Sequence, residues 1–165
     1  MKYNCKFAVR GGGHTPQANS GANIDGGVTI DLSALNKVEL SHDNTTTLVG
    51  AGARWGNVYS YLDPLNYAVV GGRVSDVGVG GLLTGGGNSF FTARYGFACD
   101  NVVEYEIVLA SGEVVRANKK TRPDLFRAMK GASNNLGIVT RFELATFPQT
   151  PFWGGEVFYP IQTQE

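Results

Sequence analysis

The stretch Phe7-Ala8-Val9-Arg10-Gly11-Gly12-Gly13-His14 carries the strongest structural signal in this chain. Its short apolar run predicts a buried strand, and the three glycines after it allow main-chain N–H groups to converge on one point. Such a nest suits an anion such as a pyrophosphate. His14 follows the nest directly, where it can tether a ligand, and Thr15 adds a side-chain donor. A glycine-rich turn with a surface histidine is the alternative interpretation.

A second glycine cluster, Gly78-Val79-Gly80-Gly81 followed by Gly85-Gly86-Gly87, lies in the middle of the chain. It lacks the Lys-Ser/Thr ending of a P-loop. A flexible hinge is one interpretation. However, Val79, Leu82 and Leu83 attach the cluster to a core, which favours a loop that lies against a ligand.

Composition limits the class of protein. The 165 residues suit one domain, and the net charge is zero, with 14 basic and 14 acidic residues. A balanced charge argues against a nucleic-acid partner, and no apolar run reaches the roughly 20 residues that a membrane span requires. Cys5 and Cys99 lack metal-ligand spacing, so no metal site is predicted. We expect both cysteines to be small buried apolar residues, although a disulfide between them stays open.

The hydrophobic pattern predicts strands that outnumber short helices, and hence an α+β domain with mostly antiparallel pairing. A two-residue turn at Ser111-Gly112 is expected to join two strands as a hairpin. The chain end from Gly154 to Tyr159 has the pattern of a further strand. The predicted strands are 5–9, 28–32, 38–40, 46–49, 68–70, 102–110, 113–117 and 138–146, and the predicted helices are 54–62, 79–83 and 122–130.

A weaker dinucleotide fingerprint begins at Gly50, where Thr47-Leu48-Val49 runs into Gly50-Ala51-Gly52-Ala53-Arg54-Trp55-Gly56. A Rossmann unit would require an acidic residue at the end of a second parallel strand about 20 residues later. Asp76 is the candidate, but no strong strand precedes it. We therefore expect these glycines to serve a tight turn between a strand and a helix, with an NAD-type reductase as the alternative.

Four blocks, in order, resemble the FAD-binding domain of the vanillyl-alcohol oxidase/p-cresol methylhydroxylase (PCMH-type) superfamily, especially fungal berberine-bridge-enzyme-like oxidoreductases. Together they are more specific than any single motif. The blocks are Arg10-Gly11-Gly12-Gly13-His14, Ile30-Asp31-Leu32-Ser33, Val77 to Asn101, and Asp124 to Phe142.

The resemblance implies FAD as the cofactor, with its pyrophosphate on the first block and a covalent bond from His14 to the 8α-methyl group of the isoalloxazine ring. Some members carry a second bond from a cysteine in the central loop. Cys99 matches no linking position, so a single link through His14 is implied. The implied cofactor-binding residues are Arg10, Gly11, Gly12, Gly13, His14, Thr15, Gly78, Gly80, Gly81, Gly85, Gly86, Asn101, Val103, Gly137 and Val139.

The resemblance also implies the reaction: hydride transfer from an alcohol, sugar or amine substrate to flavin, followed by reoxidation by molecular oxygen. We expect residues 1–150 to be a partial FAD-binding domain whose first strand–helix unit is incomplete, and residues 151–165 to begin a substrate domain. No catalytic acid or base is assigned, because the family places it in the later part. A non-catalytic remnant of such an enzyme is the alternative. The compartment stays open, although family members often enter the secretory pathway.

Overall fold

The computed structural model describes residues 5–16 and 23–160. Its strands are β1 (Phe7–Arg10), β2 (Val28–Asp31), β3 (Val38–Leu40), β4 (Thr46–Gly50), β5 (Tyr67–Val69), β6 (Val102–Val108), β7 (Val114–Asn118) and β8 (Ile138–Pro148). Its α-helices are α1 (Trp55–Leu62), α2 (Val79–Thr84), α3 (Thr92–Tyr95) and α4 (Pro123–Ala128), and 3₁₀ turns span Asp63–Leu65 and Ala98–Asn101.

The strands form two sheets. β1 and β2 pair in parallel, while the larger sheet has the order β3-β4-β8-β6-β7, with β5 added on β8. Every pairing of the larger sheet within the described residues is antiparallel. The predicted α+β class with mostly antiparallel pairing is therefore confirmed.

β8 is the central strand because it lies between β4 and β6 and pairs with both. Its last residues, Thr146 to Pro148, pair with β5. Its alternation places Val139, Phe142 and Leu144 in the core, while Arg141 and Glu143 lie on the opposite face. A change of register between β6 and β8 shifts the alternation by one residue after Val139. The strand thus keeps one apolar face over most of its 11 residues.

α1 covers the core face of this sheet. Trp55, Val58 and Leu62 recur at helical spacing and are fully buried, as the sequence pattern predicts. The helix ends at Leu62, but helical backbone continues as a 3₁₀ turn from Asp63 to Leu65, which includes Pro64. Asn66 then adopts a left-handed conformation with φ of 60°, which turns the chain into β5.

One hydrophobic cluster joins the sheet and the helices. Tyr105 lies at its centre with its ring against Phe126 of α4 and Phe142 of β8. Burial raises the pKa of the Tyr105 phenol, so this side chain stays neutral. Apolar contact between aromatic rings thus holds α4 to the sheet.

Three local expectations are wrong. The β6–β7 register pairs Val108 with Val114, so five residues, not two, separate the strands, and Gly112 closes the turn by donating to the Leu109 carbonyl at 2.8 Å. Residues 151–160 form no strand, because no described strand pairs with them. Cys99 is buried as expected, but Cys5 is exposed before β1, and both cysteines are free.

The Rossmann alternative fails on topology. β4, which carries the glycine fingerprint at its end, lies between antiparallel neighbours β3 and β8. No strand ends at Asp76. In addition, the Gly52 amide already donates to the Leu35 carbonyl at 2.9 Å, so it is not a free donor for a phosphate.

Among the described helices, none has both the length and the apolar character that a membrane crossing demands.

The Gly52 contact gives a test of how the sheets are joined. A Cβ at Gly52 would lie less than 3.0 Å from the Leu32 carbonyl oxygen, and backbone cannot rotate away as a side chain can. We expect Gly52→Ala to lower the free energy of unfolding by about 3 kcal/mol, measured by urea denaturation. Gly154→Ala is the matched control, because a Cβ there meets nothing within 4 Å. Equal stability of the two variants would contradict this account of the sheet junction.

Candidate functional site

The two glycine clusters meet where the chain leaving β1 crosses the start of α2. A Cβ built on Gly12 would lie 2.5 Å from the Cα atom of Gly78, and one built on Gly78 would lie 2.6 Å from the Cα atom of Gly12. Real Cβ atoms essentially never approach within 3.0 Å of another heavy atom. Both positions therefore require glycine, because backbone lies directly on backbone.

Ala51 lies beside this crossing. Its carbonyl oxygen is 2.8 Å from the position of a Cβ on Gly80 and 3.7 Å from that of a Cβ on Gly11. Its amide donates to the Thr140 carbonyl of β8 at 3.0 Å. The β1 loop, the start of α2 and the large sheet thus converge here. Sequence reasoning missed Ala51, although the turn between Gly50 and Gly52 marked its position.

The loop before α2 is fixed by main-chain hydrogen bonds between residues 53–56 and 75–79. In one of them, the Trp55 amide donates to the Val77 carbonyl at 3.1 Å. The Arg54 guanidinium adds a hydrogen bond to a carbonyl of the same loop. Gly78 therefore meets Gly12 from a rigid segment rather than from a flexible hinge.

The chain beyond the crossing presents main-chain donors that have no acceptor in the described part of the protein. Gly13 has φ of 68°, and the main-chain amides of residues 12–15 donate no hydrogen bond to any described residue. His14 and Thr15 are exposed, and their side chains form no hydrogen bond or ion pair within residues 5–16 and 23–160. Free N–H groups next to a positive-φ glycine form the type of concavity that binds anions.

The exposed side of α2 has glycines that protein packing does not explain. A Cβ on Gly81 or on Gly86 would meet no atom within 4 Å, although the φ of 105° at Gly86 itself favours glycine. Gly81 lies inside a helix, where glycine costs about 1 kcal/mol relative to alanine. A Cβ on Gly85 would lie 3.0 Å from the Gly81 carbonyl oxygen. Packing among the described residues therefore gives no reason for glycine at position 81.

Arg10 ends β1 directly before the nest. Its Nη2 donates to Oδ2 of Asp31 at 2.5 Å, so the guanidinium is committed to β2. That hydrogen bond, and next the one from the Ser33 amide, lower the pKa of Asp31 to about 2. Asp31 is therefore ionised across the physiological pH range, and the ion pair persists.

The remaining residues predicted to bind the cofactor lie near the ends of β6 and β8. Gly137 and Val139 lie at the start of β8, and Asn101 and Val103 lie at the start of β6. Gly137 has φ of 146°, and a Cβ there would lie 2.7 Å from the Val108 carbonyl oxygen, so packing alone requires this glycine. Val139 is buried and precedes Thr140, whose carbonyl accepts from Ala51. Both therefore lie within three residues of Thr140, which contacts Ala51 beside the glycine crossing.

Asn101 and Val103 lie at the opposite end of β6. The Asn101 Nδ2 atom donates to the carbonyls of Tyr95 and Phe97 at 3.0 and 2.9 Å, which fixes the loop before β6. Val103, 38% exposed at the β6 bulge, lines an open cleft of about 440 Å³ on the outer face of the sheet. The structure does not bring this cleft to the glycine crossing.

Known proteins are similar to this chain in sequence. The chain is 52% identical to the FAD-dependent monooxygenase tpcD of Cochliobolus heterostrophus over 159 residues, which are 96% of this chain and 30% of that protein. It is 49% identical over 157 residues to the FAD-dependent monooxygenase drtC of Aspergillus calidoustus, covering 95% of this chain and 30% of that protein. The chain therefore spans about 30% of the length of these curated relatives.

A solved structure gives the same result. The 6-hydroxy-D-nicotine oxidase of Arthrobacter nicotinovorans superposes with a TM-score of 0.82 at 34% identity, over 87% of this chain and 31% of that one. The PCMH-type fold predicted from the sequence is thereby confirmed, and the curated relatives are named FAD-dependent monooxygenases. Residues 1–118 match the family described as FAD binding domain, and the chain therefore belongs to that family.

Proposed function

We propose that this chain is the FAD-binding part of an oxidoreductase and that FAD binds at the crossing of the two glycine clusters. The observation that carries the proposal is the row of main-chain amides at residues 12–15, which donate to no residue of 5–16 or 23–160 and lie beside the Gly12–Gly78 contact. Donors that no described residue uses can bind the two negative charges of a pyrophosphate without displacing a partner among those residues.

The residues present fit this cofactor. The open side of Gly81 and Gly86 offers bare backbone to a flat or bulky group, and glycine at position 81 has no packing reason within the described chain. Gly11, Gly78 and Gly80 hold the crossing, and Gly85, Gly137 and Val139 shape its surroundings. We assign Arg10 and Asn101 indirect roles, because their side chains already bind Asp31 and the 95–97 loop. Val103 remains an assignment from family resemblance alone.

We further propose that His14 holds the cofactor by a covalent bond to the 8α-methyl carbon of the isoalloxazine ring. His14 is exposed, follows the free amides directly, and has no partner among the described residues. One solved relative supports the chemistry: the glucooligosaccharide oxidase of Acremonium strictum is described as having a 6-S-cysteinyl, 8α-N1-histidyl FAD. Thr15 is the neighbouring exposed donor.

FAD held at this site would supply hydride-acceptor chemistry, with molecular oxygen as the final electron acceptor. The residues of this chain bind and orient the cofactor, and none of them is assigned as a catalytic acid or base. The substrate is proposed to be a small alcohol, sugar or amine. The oxidases among the solved relatives are named for nicotine-type and oligosaccharide compounds.

Monooxygenation is a second candidate, because the curated relatives with 44% to 52% identity are named FAD-dependent monooxygenases. Oxygen is consumed in both reactions, but only a monooxygenase places one of its atoms in the product.

The first prediction compares the chain's two histidines, both exposed. In the complete natural protein that carries this domain, we expect wild type and His42→Ala to keep a yellow flavin after acid precipitation. We expect His14→Ala to release it, because the attachment atom is absent. Mass spectrometry of the peptide spanning His14 measures the adduct. A covalent flavin in His14→Ala would contradict the linkage, and no flavin in wild type after expression with added FAD would favour a non-catalytic remnant.

The second prediction concerns Gly81→Ala. Alanine in this helix should raise the free energy of unfolding by about 0.5–1 kcal/mol, because it removes glycine's conformational entropy. If the bare backbone contacts the cofactor, the added methyl should weaken FAD binding at least tenfold. Fluorescence titration in the His14→Ala background measures the affinity without covalent attachment, and Gly154→Ala is the control. Stabilisation with unchanged affinity would contradict the cofactor contact.

The third prediction separates the two reactions. We expect substrate oxidation to release one hydrogen peroxide per turnover and to leave no ¹⁸O in the product when ¹⁸O₂ is supplied. The probes are a primary alcohol, a reducing oligosaccharide and a cyclic amine, ranked first by anaerobic bleaching of the flavin absorbance. Incorporation of ¹⁸O without stoichiometric peroxide would favour the monooxygenase instead.

A further inference from the structure

Asp31 belongs to the Ile30-Asp31-Leu32-Ser33 block, to which no function has been assigned so far. It forms the last residue pair of the parallel β1–β2 sheet, opposite Arg10. Its two carboxylate oxygens have separate tasks: Oδ2 accepts from Arg10 Nη2 at 2.5 Å, and Oδ1 accepts from the Ser33 amide at 2.9 Å. The carboxylate therefore binds both strands where they leave the sheet.

The two exits lead to different parts of the site. β1 continues into the Gly11–Gly13 nest. β2 continues into a turn, in which the Leu32 amide donates to the Arg10 carbonyl at 2.9 Å and the Leu35 amide donates to the Leu32 carbonyl at 2.8 Å. A single carboxylate thus fixes the start of the nest and the start of this turn.

The turn is anchored on the large sheet. The Gly52 amide donates to the Leu35 carbonyl at 2.9 Å, and Gly52 packs so closely on Leu32 that any side chain would clash. Ala51, the residue before Gly52, lies next to Gly11 and Gly80. The Asp31 carboxylate therefore connects the nest to the segment after β4 that also contacts α2.

The Arg10–Asp31 pair is too exposed to be explained as a source of global stability. Its side chains are 45% and 39% exposed, and ion pairs at such positions contribute little to folding because water screens them. A short, doubly anchored hydrogen-bond network can still fix the direction in which the chain leaves a strand. Its effect is then local to the nest.

We propose that Asp31 is a positioning residue, which orients the main-chain amides of the Gly11–His14 segment through Arg10 and Ser33 so that they receive the pyrophosphate of a dinucleotide. The proposal deepens the proposed FAD site and rests on it for the identity of the ligand. It requires no contact between Asp31 and that ligand, and it assigns to Arg10 a role in shaping the nest rather than in neutralising phosphate charge.

The test compares Asp31→Ala with Asp43→Ala. Asp43 is a matched control because it is also exposed, also organises a turn through Ser41 and Thr45, and also has its pKa lowered to about 2 by those hydrogen bonds. It lies in the β3–β4 turn. Amide hydrogen exchange is measured on the peptide that contains Gly11–His14 and on a peptide within β8.

We expect Asp31→Ala to accelerate exchange in the Gly11–His14 peptide at least fivefold, to leave the β8 peptide unchanged, and to shift Tm no more than Asp43→Ala does. In the His14→Ala background, it should also weaken FAD binding at least tenfold, with Asp31→Asn intermediate because the amide oxygen still accepts. Asp43→Ala should change neither property of the nest.

Exchange in the nest that is unaffected by Asp31→Ala, or that Asp43→Ala accelerates equally, would overturn the proposal. So would unchanged FAD affinity in an Asp31→Ala protein whose wild type binds FAD. If wild type binds no FAD, the proposed function fails, whereas the exchange measurement still decides whether Asp31 orients the nest. The two failures are therefore distinguishable.

Discussion

The close contact between the backbones of Gly12 and Gly78 is the constraint on which the rest of this structure depends. Two chain segments 66 residues apart approach so closely that neither position has space for a Cβ. The contact joins the exit of the small parallel sheet to the first turn of α2. The contact thus places the nest close in space to the start of α2, and we propose that one bound molecule contacts both.

Several other elements serve to hold that contact. The hydrogen bonds between residues 53–56 and 75–79 fix the segment that delivers Gly78, and α1 continues from it with Trp55 and Val58 in the core. On the other side, the turn after β2 rests on the glycines that end β4. Apolar burial supplies the stability of the domain, while these main-chain contacts set the position of the site.

The arrangement explains why a chain with so few charged groups at its site can bind a charged cofactor. The donors proposed to meet the pyrophosphate are backbone amides, and the nearest guanidinium, that of Arg10, is occupied by Asp31. Preorganised dipoles need no counterion and little reorganisation when the ligand enters. The proposed covalent attachment through His14 would then retain the cofactor.

The α+β class, the helices α1 and α2 and the strands β3 and β4 could be predicted from the sequence, because apolar periodicity is a local property, and the four matching blocks indicated the flavin-binding family. The contact of Gly12 with Gly78, the place of Ala51 beside it and the Arg10–Asp31 hydrogen bond became visible in the folded chain alone, because they link residues far apart in the sequence. The structure also distinguishes glycines that packing requires from those that it does not. Gly137 and Gly52 have no space for a Cβ, whereas Gly81 has open space there. That difference depends on which atoms surround each backbone, and neighbouring letters in the sequence do not encode it.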